Sequence, residues 1–193
     1  MNSNNKTRCP WPEADEKMIK YHDEIWGVPV YNDQILFAKL SLDLMQAGLM
    51  WKTILHKWDN FYKAFDDFDI KVVAKYNEKK YEELMQDKGI VRNQLKIRAI
   101  INNANRILEV QKEFGSFSRY IWSFIDNKVI QNSIKSMDDI EAKTPLSDKI
   151  SKDLLKRGFK FVGSTIIYAW MQAIGMVNDH MIDCFRYKEL GGG

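Results

Sequence analysis

Cys9, His22, His180 and Cys184 are the side chains of this sequence best suited to hold a soft divalent metal, and they include both of its cysteines and two of its three histidines. Two thiolates and two imidazoles complete a tetrahedral zinc shell. A shell closed by four protein ligands holds structure and does not activate water. His180 and Cys184 stand at i and i+4, a spacing that predicts one helical face carrying both. If Cys9 and His22 supply the other pair, a single structural zinc ties the start of the chain to its end. Two other readings stand beside this one. The thiols and imidazoles can be unrelated, because the Cys9-to-His22 gap is longer than in a compact finger. A Cys9–Cys184 disulfide is disfavoured, because no signal peptide precedes the chain.

A second candidate is the segment Gln86-Asp87-Lys88-Gly89-Ile90-Val91-Arg92. Gly89 stands where a tight turn is expected to need positive φ, which glycine adopts without steric cost. A glycine turn before a helix presents backbone N–H groups to a phosphate. Arg92, Lys96 and Arg98 add positive charge nearby, and such contacts give affinity without reading sequence. The plainer alternative is a helix–turn–helix joint with a solvated basic face. The basic stretch from Lys152 to Lys160 carries the same two readings.

These groups need rigid elements to position them. Helical periodicity runs through nearly the whole sequence, punctuated by only four prolines and ten glycines. The spacing predicts helices over 13–21, 32–47, 51–65, 79–86, 93–113, 116–124, 146–157 and 164–174. Asn32 or Asp33 opens the second of these. Gly158 after Lys156-Arg157 stops the seventh, and Ser164 or Thr165 is expected to cap the eighth. Val28-Pro29-Val30 and Phe159 to Val162 read as short extended segments. The class is all-α without a substantial sheet. His56 reads as a surface helix residue, and Trp58, Trp122 and Trp170 as core.

The 193 residues, 45% of them hydrophobic, suit a single helical domain over 1–193, with room for two closely packed lobes. Apolar stretches are too short and too often broken by charge to span a bilayer. A cytoplasmic protein is therefore expected, a monomer with no membrane partner. A net charge of +3 points only weakly to a polyanionic partner. Six tryptophans and eight tyrosines can build a core or a stacking pocket for bases.

The ordered run Arg8-Cys9-Pro10-Trp11, Tyr21-His22-Asp23-Glu24-Ile25-Trp26-Gly27, Gln46-Ala47-Gly48-Leu49-Met50-Trp51, Gly89-Ile90-Val91-Arg92 with Lys96-Ile97, Lys156 to Gly163, and Val177-Asn178-Asp179-His180 through Cys184 resembles the bacterial type I 3-methyladenine DNA glycosylases, within the helix-hairpin-helix glycosylase superfamily. The resemblance spans residues 8 to about 187. It implies an all-α helix-hairpin-helix glycosylase fold whose zinc, held by Cys9, His22, His180 and Cys184, joins the N- and C-terminal segments. It implies that Trp11, Tyr21, Trp26, Gln46 and Trp51 form a base pocket. Leu49 would fill the gap left by an extruded nucleotide, and Gly89, Val91, Arg92 and Lys96 would meet the DNA. The substrate would be double-stranded DNA containing an alkylated purine, and the reaction hydrolysis of the N-glycosidic bond of 3-methyladenine. Alkylation makes the purine a cation and a good leaving group, so such a pocket needs shape and electrostatics more than a strong nucleophile. Aromatic faces favour a cationic ring by up to about 2 kcal/mol when desolvated.

The sequence departs from the family where a glutamate normally reads the base, three residues before Gln46. Asp43 stands there, shorter by one carbon–carbon bond, about 1.5 Å. Met50 replaces a small residue and Met18 a tyrosine, both expected in or close to the pocket. Periodicity alone puts Asn32, Lys39, Asp43 and Gln46 on one solvated stripe, with Lys39 and Asp43 an i, i+4 surface pair. The resemblance puts Asp43 in the pocket as the catalytic base reader. An active glycosylase is the first functional expectation. A lesion-shifted or non-catalytic DNA-binding relative is the second, and a zinc-stabilised helical protein unrelated to nucleic acid the third.

Overall fold

The computed structural model describes residues 6–192. Residues 1–5 and Gly193 of the expected 1–193 domain lie outside the described residues. Helices dominate: α1 (Glu16–Glu24), α2 (Asp33–Gln46), α3 (Trp51–His56), α4 (Trp58–Ala64), α5 (Ile70–Val73), α6 (Glu78–Gln86), α7 (Gln94–Phe114), α8 (Phe117–Trp122), α9 (Pro145–Lys156), α10 (Ser164–Ala173) and α11 (Phe185–Glu189). Two two-residue strands, β1 (Ile130–Gln131) and β2 (Val177–Asn178), pair in parallel, with Ile130 opposite Val177. Among the described residues no helix is long and apolar enough to cross a membrane.

α2 is the axis of the structure. The Asn32 side chain caps it by accepting from the Ile35 N–H. Every residue from Leu36 to Met45 is buried, so over that stretch the helix has no solvated face. The Asp33 carboxylate accepts from the Phe117 and Ser118 N–H groups at 2.8 and 2.7 Å, which fastens the start of α8 to the start of α2. One cluster of buried side chains runs from Leu36 to Val177, with Trp122 and Trp170 fully enclosed. A smaller cluster of Met18, Tyr21, Trp26, Leu55 and Ala173 lies beside it.

Several expected elements change. The helix expected over 51–65 breaks into α3 and α4 at Lys57. The first helix begins at Glu16, capped by Asp15 through the Met18 N–H. Ser164 and Thr165 lie inside α10, whose cap is Gly163 without a side-chain bond. α5 and α11, each under two turns, carry too little periodicity to be seen in sequence. The His180–Cys184 pair is not helical: His180 follows β2 in a turn, and Cys184 is the cap of α11. The parallel pair and the bridge Ile134–Met181 tie the C-terminal segment to residues 130–134, and the bond from the Phe185 N–H to the Thr7 carbonyl at 2.9 Å joins that segment to the start of the described chain.

Candidate functional site

Cys9, His22, His180 and Cys184 are all buried, with one donor atom from each lying within 4.8 Å of the others. Cys184 Sγ stands 3.5 Å from His22 Nε2 and 3.6 Å from His180 Nδ1, and Cys9 Sγ stands 3.7 Å from His180 Nδ1. Tetrahedral bonds of about 2.3 Å to sulfur and about 2.05 Å to nitrogen place such pairs about 3.6 Å apart. Both thiols are free, so the disulfide alternative is set aside. The outer ring nitrogens are held as in metal sites: His22 Nδ1 by Asp23 Oδ1 at 2.8 Å, and His180 Nε2 by the Trp26 carbonyl at 3.2 Å. Arg8 grips Asp23 in turn through Nε and Nη2. Gly27 follows Trp26 at φ +77, where a Cβ would stand 3.1 Å from His180 Nε2, so both conformation and space call for glycine.

Next to this centre lies a cavity of about 230 Å³ lined by Trp11, Tyr21, Trp26, Asp43, Gln46, Trp51, Met137, Ile140, Ala169 and Gln172. Its size is below the roughly 300 Å³ at which drug-sized sites begin and suits one planar base. All six residues expected around a base therefore line one space. Trp11 and Trp26 meet edge to face at 5.2 Å, and the Tyr21 and Trp51 rings are 5.1 Å apart.

Asp43 is 5% exposed, and its Oδ2 is buried without a hydrogen-bond partner. Burial pushes its carboxyl up to about 8, against the opposing pull of Lys39. Lys39 is buried too and donates to the Ala173 carbonyl at 2.8 Å. The surface-pair expectation for Lys39 and Asp43 is thereby corrected, because α2 is enclosed on all sides. The indole N–H of Trp51 is a second buried polar group without a partner. Met18 is buried behind Tyr21 and does not line the cavity, and Met50 is 73% exposed. Of the three departures from the family pattern, Asp43 alone lies in the cavity wall.

Leu49 and Met50 protrude from the turn between α2 and α3, after Gly48 at φ +76. The turn between α6 and α7 leaves Arg92 exposed, and its Lys88 and Gly89 carbonyls accept from Lys57 Nζ, each at 3.1 Å. Gly89 does not have positive φ. Its N–H is held by Asp87 Oδ1 at 2.7 Å, and its constraint is space, since a Cβ would stand 2.9 Å from that same oxygen. Val91 is half-buried on the same turn. Lys96 is placed elsewhere than expected. It is buried, and its ammonium donates to the Met45 and Ala47 carbonyls at 2.8 and 2.6 Å, closing the C-terminal end of α2. Arg98 is paired with Glu78 and stacked on Tyr81.

Sequence reasoning missed Lys39, Gln172 and the group that orients Gln172. Asp179 is buried and accepts from Gln172, Tyr168 and Asn132, at 2.7, 2.7 and 2.6 Å. The available signal was Gln172 itself, a polar residue one turn after Ala169 near the end of an apolar helix.

A family model described as methyladenine glycosylase matches residues 11–187. The DNA-3-methyladenine glycosylase 1 of Escherichia coli is 43% identical over 180 residues, 93% of this chain and 96% of that protein. A crystal structure of a 3-methyladenine DNA glycosylase I superposes with a TM-score of 0.90 at 44% identity, covering 93% of this chain and 98% of that one. A structure of the Staphylococcus aureus 3-methyladenine DNA glycosylase I, solved for the basis of its 3-methyladenine recognition, superposes with a TM-score of 0.89 at 33% identity, covering 92% and 95%.

Proposed function

The chain belongs to the methyladenine glycosylase family, and from that membership we propose that it is a base-excision repair DNA-3-methyladenine glycosylase whose cavity holds the extruded base. The carrying observation is the buried Asp43 carboxyl group, its Oδ2 without a partner, in a wall of aromatic rings. Extrusion costs a few kcal/mol, and less at a damaged base. The rings of Trp11, Tyr21, Trp26 and Trp51 favour a flat cation. Asp43 Oδ2 accepts from the purine edge, and the free Trp51 N–H supplies a donor for the same edge. The bond from the sugar C1′ to the ring nitrogen breaks and its electron pair stays on the purine, which leaves as a neutral base, while water adds to C1′ as hydroxyl and releases its second proton to solvent. A cationic base opposite the carboxyl draws off its proton, and as a carboxylate Asp43 favours the charged base before that step.

Leu49, with the exposed Met50 beside it, fills the vacated stack. Arg92 and the turn at Gly89 and Val91 form the hairpin that meets the DNA backbone. Cys9, His22, His180 and Cys184 hold one structural zinc that fastens the chain ends and takes no part in hydrolysis. We read the chain as one folding unit acting as a monomer on duplex DNA.

The test is release of free 3-methyladenine from methylated duplex DNA by metal-loaded protein. The natural chain and Asp43→Glu are expected to release base, and Asp43→Asn to fall by about a hundredfold or more, the scale of losing one preorganised electrostatic group. Release by Asp43→Glu with none by the natural chain would refute native activity on this lesion.

A further inference from the structure

Lys39 is a buried charge that the pocket reading leaves without work. It sits one turn before Asp43 on α2, 4% exposed, in the segment where every neighbour from Leu36 to Met45 is buried. Burying a long ammonium is expensive unless something holds it. Two things do: the Ala173 carbonyl accepts from Nζ at 2.8 Å, and the Tyr21 ring centroid lies 5.8 Å from it. Both contacts belong to the surroundings of the cavity, since Tyr21 lines it and Ala173 follows Gln172 on α10. Lys39 forms no ion pair with Asp43 within 4.0 Å among the described residues, and Asp43 Oδ2 has no partner at all. The ammonium therefore acts on the carboxylate through space and leaves its oxygen open to a ligand.

We infer that Lys39 is the positioning residue for Asp43: its clamped ammonium is the fixed positive charge that lets an unpartnered carboxylate ionise inside the cavity, and it sets the pH range over which the pocket grips a purine. This rests on the reading of the cavity as a base pocket. The two groups pull on each other as opposite charges must. Burial pushes Asp43 up to about 8 while Lys39 draws it down, and burial pushes Lys39 down to about 8 while Asp43 draws it up. The other titratable group facing Asp43 is Tyr21 of α1, raised by burial and by Asp43 itself. α3 and α10 present Trp51, Ala169 and Gln172 to the cavity, all uncharged. The charge that α7 brings to α2 is Lys96, at the Met45 and Ala47 carbonyls. Asp33, Asp66 and Asp67 meet α2 at its opposite end, where Asp33 caps α8 and Gln34 reaches the Asp67 carbonyl. Removing Lys39 therefore leaves burial almost unopposed on Asp43.

The experiment is a carbon-13 titration of the Asp43 carboxyl in the full-length, metal-loaded chain, with binding of free 3-methyladenine followed by tryptophan fluorescence over the same pH range. Lys39→Met is expected to raise the Asp43 midpoint by about one pH unit or more, a tenfold weaker acid, and to move the pH at which base binding fails by the same amount. Lys39→Arg is expected to keep both near the natural values. An unmoved Asp43 midpoint in Lys39→Met overturns the inference. If that variant does not fold, the natural chain decides: the Asp43 carboxyl and Lys39 Cε signals must each inflect at the other's midpoint, and independent titrations overturn it. A shifted midpoint in a protein that releases no base from alkylated DNA would instead sink the glycosylase reading and leave the pair standing.

Discussion

Replacing Asp43 with asparagine should make the protein more stable as it makes it inactive, and the gain should grow with pH. The carboxyl is pushed from 3.8 in the unfolded chain up to about 8 in the fold. Between those values the unfolded state has released the proton and the folded state still holds it. The folded state binds more protons, so stability falls as pH rises through this window. By pH 7 the chain has crossed about 3 units, and at about 1.36 kcal/mol per unit this costs about 4 kcal/mol. Asparagine keeps the shape and removes the titration. It leaves a buried amide without partners, which returns about 1–3 kcal/mol of the gain at every pH. The slope is therefore the cleaner observable. Urea unfolding of the natural chain and Asp43→Asn, both zinc-loaded, should give a stability difference that grows by about 1.4 kcal/mol per pH unit between pH 5 and 7. Titration of the Cys and His cluster is common to both and cancels, whereas Lys39 loses the pull of Asp43 in the variant, falls further and adds to the difference with the same sign. A difference flat across that range would show that Asp43 titrates like an exposed acid, and the pocket argument would fall with it.

Two further outcomes follow from the other parts of the site. Purified protein should carry about one zinc per chain by elemental analysis, and chelation should lower the melting temperature, because a ligand bound only to the fold contributes folding free energy; an undiminished melting temperature in metal-free protein removes the structural role. Arg92→Ala should weaken duplex binding and reduce its salt slope by about 1, whereas Lys96→Met should leave the slope unchanged and lower the melting temperature, since its ammonium serves two helix-end carbonyls; the reverse pattern in filter-binding and thermal unfolding would restore Lys96 to the phosphate contacts.

The helices that periodicity captured are those with one dry face or a strong cap. α7 has both, with Asn93 accepting from the Lys96 N–H and Ile97, Ile100, Ala104 and Ile107 buried in one stripe. α2 was found through its cap and misread in its faces. A stripe test measures contrast around a helix, and α2 has none from Leu36 to Met45, because neighbours enclose that stretch. Lys39 and Asp43 then read as part of a solvated stripe, whereas they are polar groups inside a core. Lys96 misled for a related reason. A lysine in the first turn of a helix after a glycine turn resembles a phosphate contact. Its partners here are the carbonyls of Met45 and Ala47, some fifty positions away in sequence, which no local pattern can supply.

The metal set and the pocket were legible to different degrees for a physical reason. Cysteine and histidine are scarce in this chain, so four of them in two clusters stand out without any fold. The turn that holds His180 and Cys184 was misread as helix, because an i, i+4 spacing brings two side chains together in either conformation. The pocket needed the fold, since its walls come from five separate stretches of chain. Yet the two sites share residues that alternate between them. Tyr21 faces the cavity while its neighbour His22 faces Cys184. Trp26 offers its ring to the cavity and its carbonyl to His180. Trp11 lines the cavity two residues after Cys9. An ion that fixes His22, His180 and Cys9 therefore also fixes the backbone under three aromatic walls. A metal held by those four side chains would set the scaffold beneath the rings, which gives an ion with no chemical step of its own a use beside the cavity.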